Sequence, residues 1–209
     1  FDDYLSAINH WTCPGQNFAF ASVSGDIAIK QQGAFVARWN RQGDFIMPGT
    51  DSAYDWQGII PFQENPMILN PARGFVSSAN QKSTDPSDPY YLGTASSFPL
   101  YRGISVNQQL IGRTQVTAQD MQALQTNNYN VFAQQARPAL MKFVEMNTLS
   151  TEAQRMVGMM TQWNLYNDPS EKGITIFKLI WDSVEHAVWG DELEGASIPL
   201  TKPESFVLL

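Results

Sequence analysis

Cysteine, histidine and long apolar runs are all scarce in this sequence. The 209 residues include one cysteine, Cys13, and two histidines, His10 and His186, which lie far apart. A single cysteine excludes an intrachain disulfide and a cysteine-ligated metal site, and the two histidines do not have the spacing of metal ligands. No apolar run approaches the ~18 residues that a membrane-spanning helix requires. We therefore expect no membrane association, no metal and no cofactor.

Charge is also sparse, and it is of the wrong sign for a polyanionic partner. The net charge is −7 and the isoelectric point is about 4.7, with no basic cluster to offset that average. Nucleic acid and anionic membranes are thus disfavoured as partners. With 43% hydrophobic and only 16% charged residues, the composition instead predicts a globular protein with a substantial core.

Several catalytic signatures are missing as well. The sequence has no Walker or Rossmann glycine motif and no Gly-x-Ser-x-Gly elbow. Asp26, Asp44, Asp51 and Asp55 could pair as catalytic carboxylates, but they fall in turns, where aspartate is favoured because it caps backbone N–H groups. The residues alone therefore provide no nucleophile beside a base.

The pattern of the chain changes near residue 103, from strands and loops to helices, which predicts an α+β fold. We expect a strand and loop part over residues 1–102 and a helical subdomain over residues 103–209. The predicted strands of the first part form an antiparallel meander, and a short fourth strand follows a long loop. These elements are a helix at 1–11, strands at 17–24, 27–31 and 34–39, a loop at 40–70 and a strand at 75–79.

Apolar positions with helical spacing mark the second part. Thr117 and Asp120 resemble a capping box at a helix start, and Pro138 predicts a kink or a boundary within its helix. The predicted helices are 104–113, one after Thr117, 131–146, 150–163 and 174–189.

The loop at 40–70 is unusually long for a compact domain, and such loops are often functional or extensively packed. We expect its apolar side chains to be buried rather than solvated. They are Trp56, Ile59, Ile60, Phe62, Met67 and Ile68.

Asn80 closes the apolar segment 75–79, and Arg102 follows 22 residues later. An amide at the end of a strand can present its N–H2 group into a cleft, where such a donor lowers an acyl-transfer barrier by about 3 kcal/mol. A guanidinium is well suited to orient a neighbouring amide. On the residues alone, an ordinary turn asparagine and an ordinary salt-bridging arginine remain the alternatives.

The ordered succession of motifs in the first part resembles the penicillin acylase family. The turns and strands of 24–38 are similar to a hairpin of that family, and a dozen positions of 48–81 are similar to its loop signature. The residues that carry the resemblance are Ser24-Gly25-Asp26-Ile27-Ala28, Gly33-Ala34-Phe35-Val36-Ala37-Arg38, Pro48-Gly49, Trp56-Gln57-Gly58-Ile59-Ile60-Pro61-Phe62, Asn65-Pro66, Asn70-Pro71, Gly74-Phe75-Val76 and Ala79-Asn80-Gln81.

This resemblance implies an N-terminal-nucleophile hydrolase that cleaves linear amides. It places Asn80 as the oxyanion-hole asparagine and Arg102 as the arginine that holds it, and these two are the predicted catalytic residues. The chain is similar to only the later part of the family's β chain. The expected partners are therefore the α chain, the N-terminal part of the β chain with its nucleophilic serine, and a small acyl-amide substrate. The resemblance also implies a periplasmic or secreted enzyme, and these 209 residues alone are expected to be inactive.

Three departures qualify the resemblance. Phe1 is not a nucleophile, Gln81 replaces the family's common second asparagine, and Tyr91 stands where some members have a calcium-binding aspartate, so no calcium site is carried over. The alternatives are an acyl-homoserine lactone acylase of the same family, a homologue that has lost catalysis, and a non-catalytic binding module with an aromatic loop.

Overall fold

A computed structural model describes residues 1–85, 87–92 and 98–203. The chain divides into two compact units, Phe1–Thr114 and Gln115–Leu209. The described residues combine a small antiparallel sheet with helices, which confirms the α+β class.

The sheet of the first unit has three strands in the order β1-β2-β3, and a short helix precedes it. Its elements are α1 (Asp2–Ile8), β1 (Gln16–Ala21), β2 (Ile27–Gln32) and β3 (Met67–Leu69). The turn between β1 and β2 closes where Ser22 N–H donates to the carbonyl of Asp26 at 2.9 Å, and Gly25 supplies the positive φ of 99°. The predicted hairpin is confirmed.

The third strand of the sheet differs from the prediction. Residues 34–39 leave the sheet, and Val36 forms an isolated bridge to Ile59 in the long loop. The outer edge of β2 pairs instead with β3, in a register that sets Ile29 opposite Ile68. The prediction was wrong because alternation identifies an extended segment but does not specify its partner.

The long loop contributes less to the core than its composition predicts. Ile60 is buried, with 3% of its surface exposed, whereas Trp56 is 67% exposed. Ile59, Met67 and Ile68 are also exposed, and Phe62 is half-buried. Most of these side chains are therefore not buried within this chain, and their burial against a larger body stays a prediction.

A buried lysine ties the loop to the sheet. Lys30 of β2 is 2% exposed, and its Nζ donates to the carbonyls of Phe62 at 3.0 Å and Asn65 at 3.2 Å. The ammonium also lies 4.6 Å from the centre of the Phe62 ring. Burial lowers the pKa of Lys30, since the charged form loses hydration. The side chain of Asn65 donates in turn to Gln32 and to the carbonyl of Gly33.

The first unit ends with α2 (Tyr101–Leu110). The change of composition predicted at residue 103 falls inside this helix, and the two units separate after Thr114. In the stretch before α2, residues 75–79 run without a strand ladder, so the strand predicted there was wrong.

The second unit is a helical bundle. Its helices are α3 (Ala118–Gln125), α4 (Val131–Met141), α5 (Thr151–Gln162) and α6 (Gly173–Glu194). The capping box of Thr117 and Asp120 is present at the start of α3, as predicted. Pro138 lies within α4, which ends three residues later.

The core of this bundle combines aromatic, aliphatic and small side chains. Trp163, Phe177 and Trp181 pack with Ala133 and Met160, all nearly inaccessible to solvent. A Cβ at Gly173 would lie 2.3 Å from the Cβ of Trp163, so only glycine permits this approach of α6. None of the helices in the described ranges is long and apolar enough to cross a membrane.

Candidate active site around Asn80 and Arg102

The segment that carries Asn80 begins at a turn and is anchored there by an arginine. Gly74, with φ of 75°, donates its N–H to the carbonyl of Pro71. Arg73 Nε donates to the carbonyl of Phe75 at 2.9 Å, and its guanidinium lies over the Phe75 ring. A second guanidinium nitrogen donates to Asn107 Oδ1 of α2 at 3.1 Å. These contacts fix the segment against the helix that bears Arg102.

Asn80 has a left-handed backbone, with φ of 61°. This conformation is uncommon outside glycine, and asparagine is among the residues that tolerate it best. The turn directs the carboxamide towards α2, where Arg102 Nη2 donates to Asn80 Oδ1 at 2.8 Å. The structure therefore brings into contact the two predicted catalytic residues, which lie 22 positions apart in the chain.

The hydrogen bond from Arg102 also orients the amide. Because the guanidinium can only donate, it holds the oxygen of Asn80 and leaves the Nδ2 group on the other side. Nδ2 makes no hydrogen bond to any residue in the part of the chain that the structure describes. It is an oriented donor that no described residue uses.

The position of Arg102 is costly for the helix itself. It is the second residue of α2, close to the positive end of the helix dipole, where a cation is unfavourable by a few tenths of a kcal/mol. The neighbouring Tyr101 is partly buried, and burial raises the pKa of its hydroxyl. Helix stability does not explain Arg102, whereas its bond to Asn80 does.

Gln81 folds back over the same segment. Its Oε1 accepts from the N–H of Ala79 at 2.6 Å, and its Nε2 donates to the carbonyl of Ser77 at 3.2 Å. The sequence marked Gln81 only as a replacement of asparagine and gave it no role. A glutamine that binds its own preceding backbone leaves no signature in the sequence pattern.

A polar cavity of about 770 Å³ lies beside this segment, between the sheet and residues 77–85. Ser77, Ser78 and Gln81 line it, but Asn80 and Arg102 do not. Both of these side chains are exposed. The expectation that Asn80 faces a cleft is thus not met within this chain, because the left-handed turn directs its side chain to α2 rather than to the cavity.

The acidic residues that line the cavity do not form a recognisable metal cluster among the described residues. Within residues 1–85, 87–92 and 98–203, no group of three or more His, Cys, Asp or Glu side chains could bind an ion. Tyr91, for which the sequence predicted no calcium site, donates its hydroxyl to Asp44. Three buried polar atoms of the lining residues lack a partner in the described structure: Gln31 Oε1, Asn65 Oδ1 and Ser77 Oγ.

Two of the four turn aspartates cap backbone N–H groups. Asp51 accepts from the N–H of Ala53 at 2.9 Å, and Asp55 accepts from the N–H of Trp56 at 2.8 Å. Asp26 accepts from the side chain of Asn70, and Asp44 accepts from the side chains of Arg41 and Tyr91. The capping interpretation thus holds for Asp51 and Asp55, whereas Asp26 and Asp44 bind side chains.

Comparison with known proteins extends the similarity to the whole chain. The penicillin amidase family pattern matches residues 1–208. The penicillin G acylase of Escherichia coli is 28% identical over 163 residues, which is 73% of this chain and 19% of that protein. The acyl-homoserine lactone acylase QuiP of Pseudomonas syringae pv. tomato is 30% identical over 83 residues, 40% of this chain and 10% of that protein.

A solved structure shares the fold. The thermostable penicillin G acylase from Alcaligenes faecalis, in its orthorhombic form, superposes with a TM-score of 0.59 at 18% identity, over 81% of this chain and 31% of that one. The chain thus spans less than a fifth of the length of the curated relatives it matches. Since the family pattern covers nearly every residue, the chain belongs to the penicillin amidase family.

Proposed function

We propose that this chain is the oxyanion-stabilising part of an amidohydrolase that cleaves the linear amide bond between an acyl group and an amine. One observation carries the proposal: Arg102 Nη2 holds Asn80 Oδ1 at 2.8 Å and leaves Nδ2 oriented and unpaired within the described residues. Family membership supplies the class of reaction.

The chemistry assigns distinct roles to the two residues. When a nucleophile adds to the amide carbonyl, negative charge develops on the carbonyl oxygen. Asn80 Nδ2–H donates to that oxyanion and stabilises it more than the neutral substrate. Arg102 does not touch the substrate in this scheme, and it acts as a positioning residue that prevents the carboxamide from rotating.

We further propose that the nucleophile is an N-terminal serine on polypeptide outside these 209 residues, with its own α-amino group as the base. The exposed Asn80 is consistent with a partner segment on that side. The remaining acylase polypeptide is thus the proposed partner, and export to the periplasm or beyond is the proposed location. Without the nucleophile, stabilisation of an oxyanion forms no acyl-enzyme, so the isolated chain should not hydrolyse a chromogenic acyl amide.

An acyl-homoserine lactone is the second candidate substrate. It is favoured by the 30% identity to proteins named acyl-homoserine lactone acylase QuiP, from two pathovars of Pseudomonas syringae. Both candidates contain a linear amide, so the proposed role of Asn80 is the same for each. Comparing hydrolysis of phenylacetyl amides with that of acyl-homoserine lactones would separate them.

The test is Asn80→Ala in the complete enzyme that contains this segment. We expect kcat to fall by roughly 10²–10³-fold, as for loss of one oxyanion donor, with little change in KM. Asn80→Asp refines the test, since it keeps an acceptor for Arg102 but removes the donor. A decrease of less than about threefold would remove Asn80 from the mechanism.

Asn70 provides a matched control. It is also a left-handed asparagine, with φ of 45°, and its side chain accepts from Ile27 N–H and donates to Asp26. Asn70→Ala should therefore lower stability in a similar way but leave kcat per active site unchanged.

A further inference from the structure

Gln81 closes a ring of contacts around Asn80. Its side chain accepts from Ala79 N–H at 2.6 Å and donates to the Ser77 carbonyl at 3.2 Å. Asn80 is the one residue between Ala79, which donates, and Gln81, which accepts. Both backbone torsions of Asn80 therefore lie inside a ring closed by a hydrogen bond.

The same glutamine is supported from behind by α2. Gly103 is buried, and a Cβ built on it would lie 3.6 Å from Gln81 Oε1 and 3.8 Å from Gln81 Cβ. Gly103 directly follows Arg102. Gln81 thus packs between the backbone that carries Asn80 and the helix turn that carries Arg102.

We propose that Gln81 is a positioning residue for the amide hydrolysis proposed above, and this inference rests on that function. It holds the left-handed backbone at Asn80, so that the amide oxygen accepts from Arg102 while Nδ2 points to the reacting carbonyl. A non-glycine residue in this conformation tends to relax unless its surroundings restrain it. A displacement of about 1 Å at a catalytic group can reduce the rate by about 10²-fold.

The length of the side chain explains why glutamine suits this position. The amide must reach the N–H of Ala79 and the carbonyl of Ser77, two and four residues earlier. Asparagine is one methylene shorter, so Gln81→Asn should keep at most one of these bonds in the present backbone.

The experiment uses Gln81→Met and Gln81→Glu in the complete enzyme, with kcat expressed per titrated active site. Methionine keeps the length and apolar contact with Gly103 but removes both hydrogen bonds. Glutamate keeps an acceptor for Ala79 N–H and sets a second acceptor against the Ser77 carbonyl. We expect Gln81→Met to lower kcat by roughly 10–100-fold, with KM changed less than threefold, and Gln81→Glu to lie between it and the wild type.

A double variant tests whether Gln81 acts through Asn80. In an Asn80→Ala background, Gln81→Met should lower kcat by less than twofold, because the donor it positions is already gone. An equal decrease in both backgrounds would overturn the inference, since it would indicate a general structural effect. The inference would also be overturned if both Gln81 variants kept a kcat within twofold of wild type while Asn80→Ala retained its large effect.

The outcome also separates this inference from the function on which it rests. If Asn80→Ala has less than a threefold effect, the proposed function fails. Gln154 is the matched control: its Nε2 donates to the carbonyls of Met146 and Leu149, both at 3.0 Å, in the helical unit. Gln154→Met should lower thermal stability without changing kcat.

Discussion

Replacing Arg102 by alanine should lower kcat about tenfold while leaving KM nearly unchanged. Its bond to Asn80 has a charged donor, and such bonds contribute about 1.5–3 kcal/mol. Both side chains are exposed, which favours the lower end of that range. We take about 1.4 kcal/mol, close to that lower end, as the free energy by which this bond favours the productive orientation of the carboxamide. Without the bond, Asn80 is correctly placed about a tenth of the time, and the rate falls tenfold.

The assay is steady-state hydrolysis of a chromogenic acyl amide by the complete enzyme, with active sites titrated. The control is Arg155→Ala on α5, an exposed arginine 3.9 Å from Glu152, since an exposed ion pair contributes little. In the Asn80→Ala background, Arg102→Ala should have almost no further effect. A kcat within twofold of wild type, or a full tenfold decrease in both backgrounds, would refute the positioning role.

Two further predictions concern stability. Lys30→Met leaves two loop carbonyls unpaired and should destabilise the protein by about 2 kcal/mol near neutral pH. Burial lowers the pKa of Lys30, so between that lowered pKa and the ordinary lysine pKa the unfolded chain binds more protons. The free energy of unfolding of the wild type, relative to that of the variant, should therefore increase as pH rises through that window. Urea unfolding would contradict this if the difference between the two free energies stayed constant or decreased. Thr117→Ala removes the acceptor for Asp120 N–H and should reduce the free energy of unfolding by about 1 kcal/mol. Thr117→Ser keeps the hydroxyl and should not. Equal urea midpoints for the two variants would argue against the cap.

Local features of the fold followed from the sequence. The β1–β2 hairpin, the capping box at Thr117 and the helices α4, α5 and α6 were predicted close to their observed positions. In each case the residues that decide the structure lie within a few positions of one another. A turn glycine, a capping hydroxyl or an apolar stripe acts through contacts that the sequence displays directly.

The partners of extended segments did not follow. Residues 34–39 and 75–79 have the alternation or apolar character of strands, yet the sheet takes Met67–Leu69 as its third strand. A segment's pattern indicates that it is extended, but the strand with which it pairs depends on tertiary packing that the pattern does not specify.

The candidate site shows the same division. The sequence, through its family motifs, selected Asn80 and Arg102, but spacing along the chain could not establish that they touch. The role proposed for Gln81 depends on its amide reaching the backbone of Ser77 and Ala79, which the sequence pattern does not show.

The sequence by itself determined the residue types, the local turns and the helices, because these depend on short-range sterics and periodicity. Only the tertiary structure decided that a left-handed turn directs the Asn80 carboxamide to the Arg102 guanidinium on α2. It also decided that the amide oxygen is the bound end, while the nitrogen has no partner among the described residues. The physical reason is that a hydrogen bond requires two groups within about 3 Å at a defined angle, and folding alone sets that distance for residues 22 positions apart.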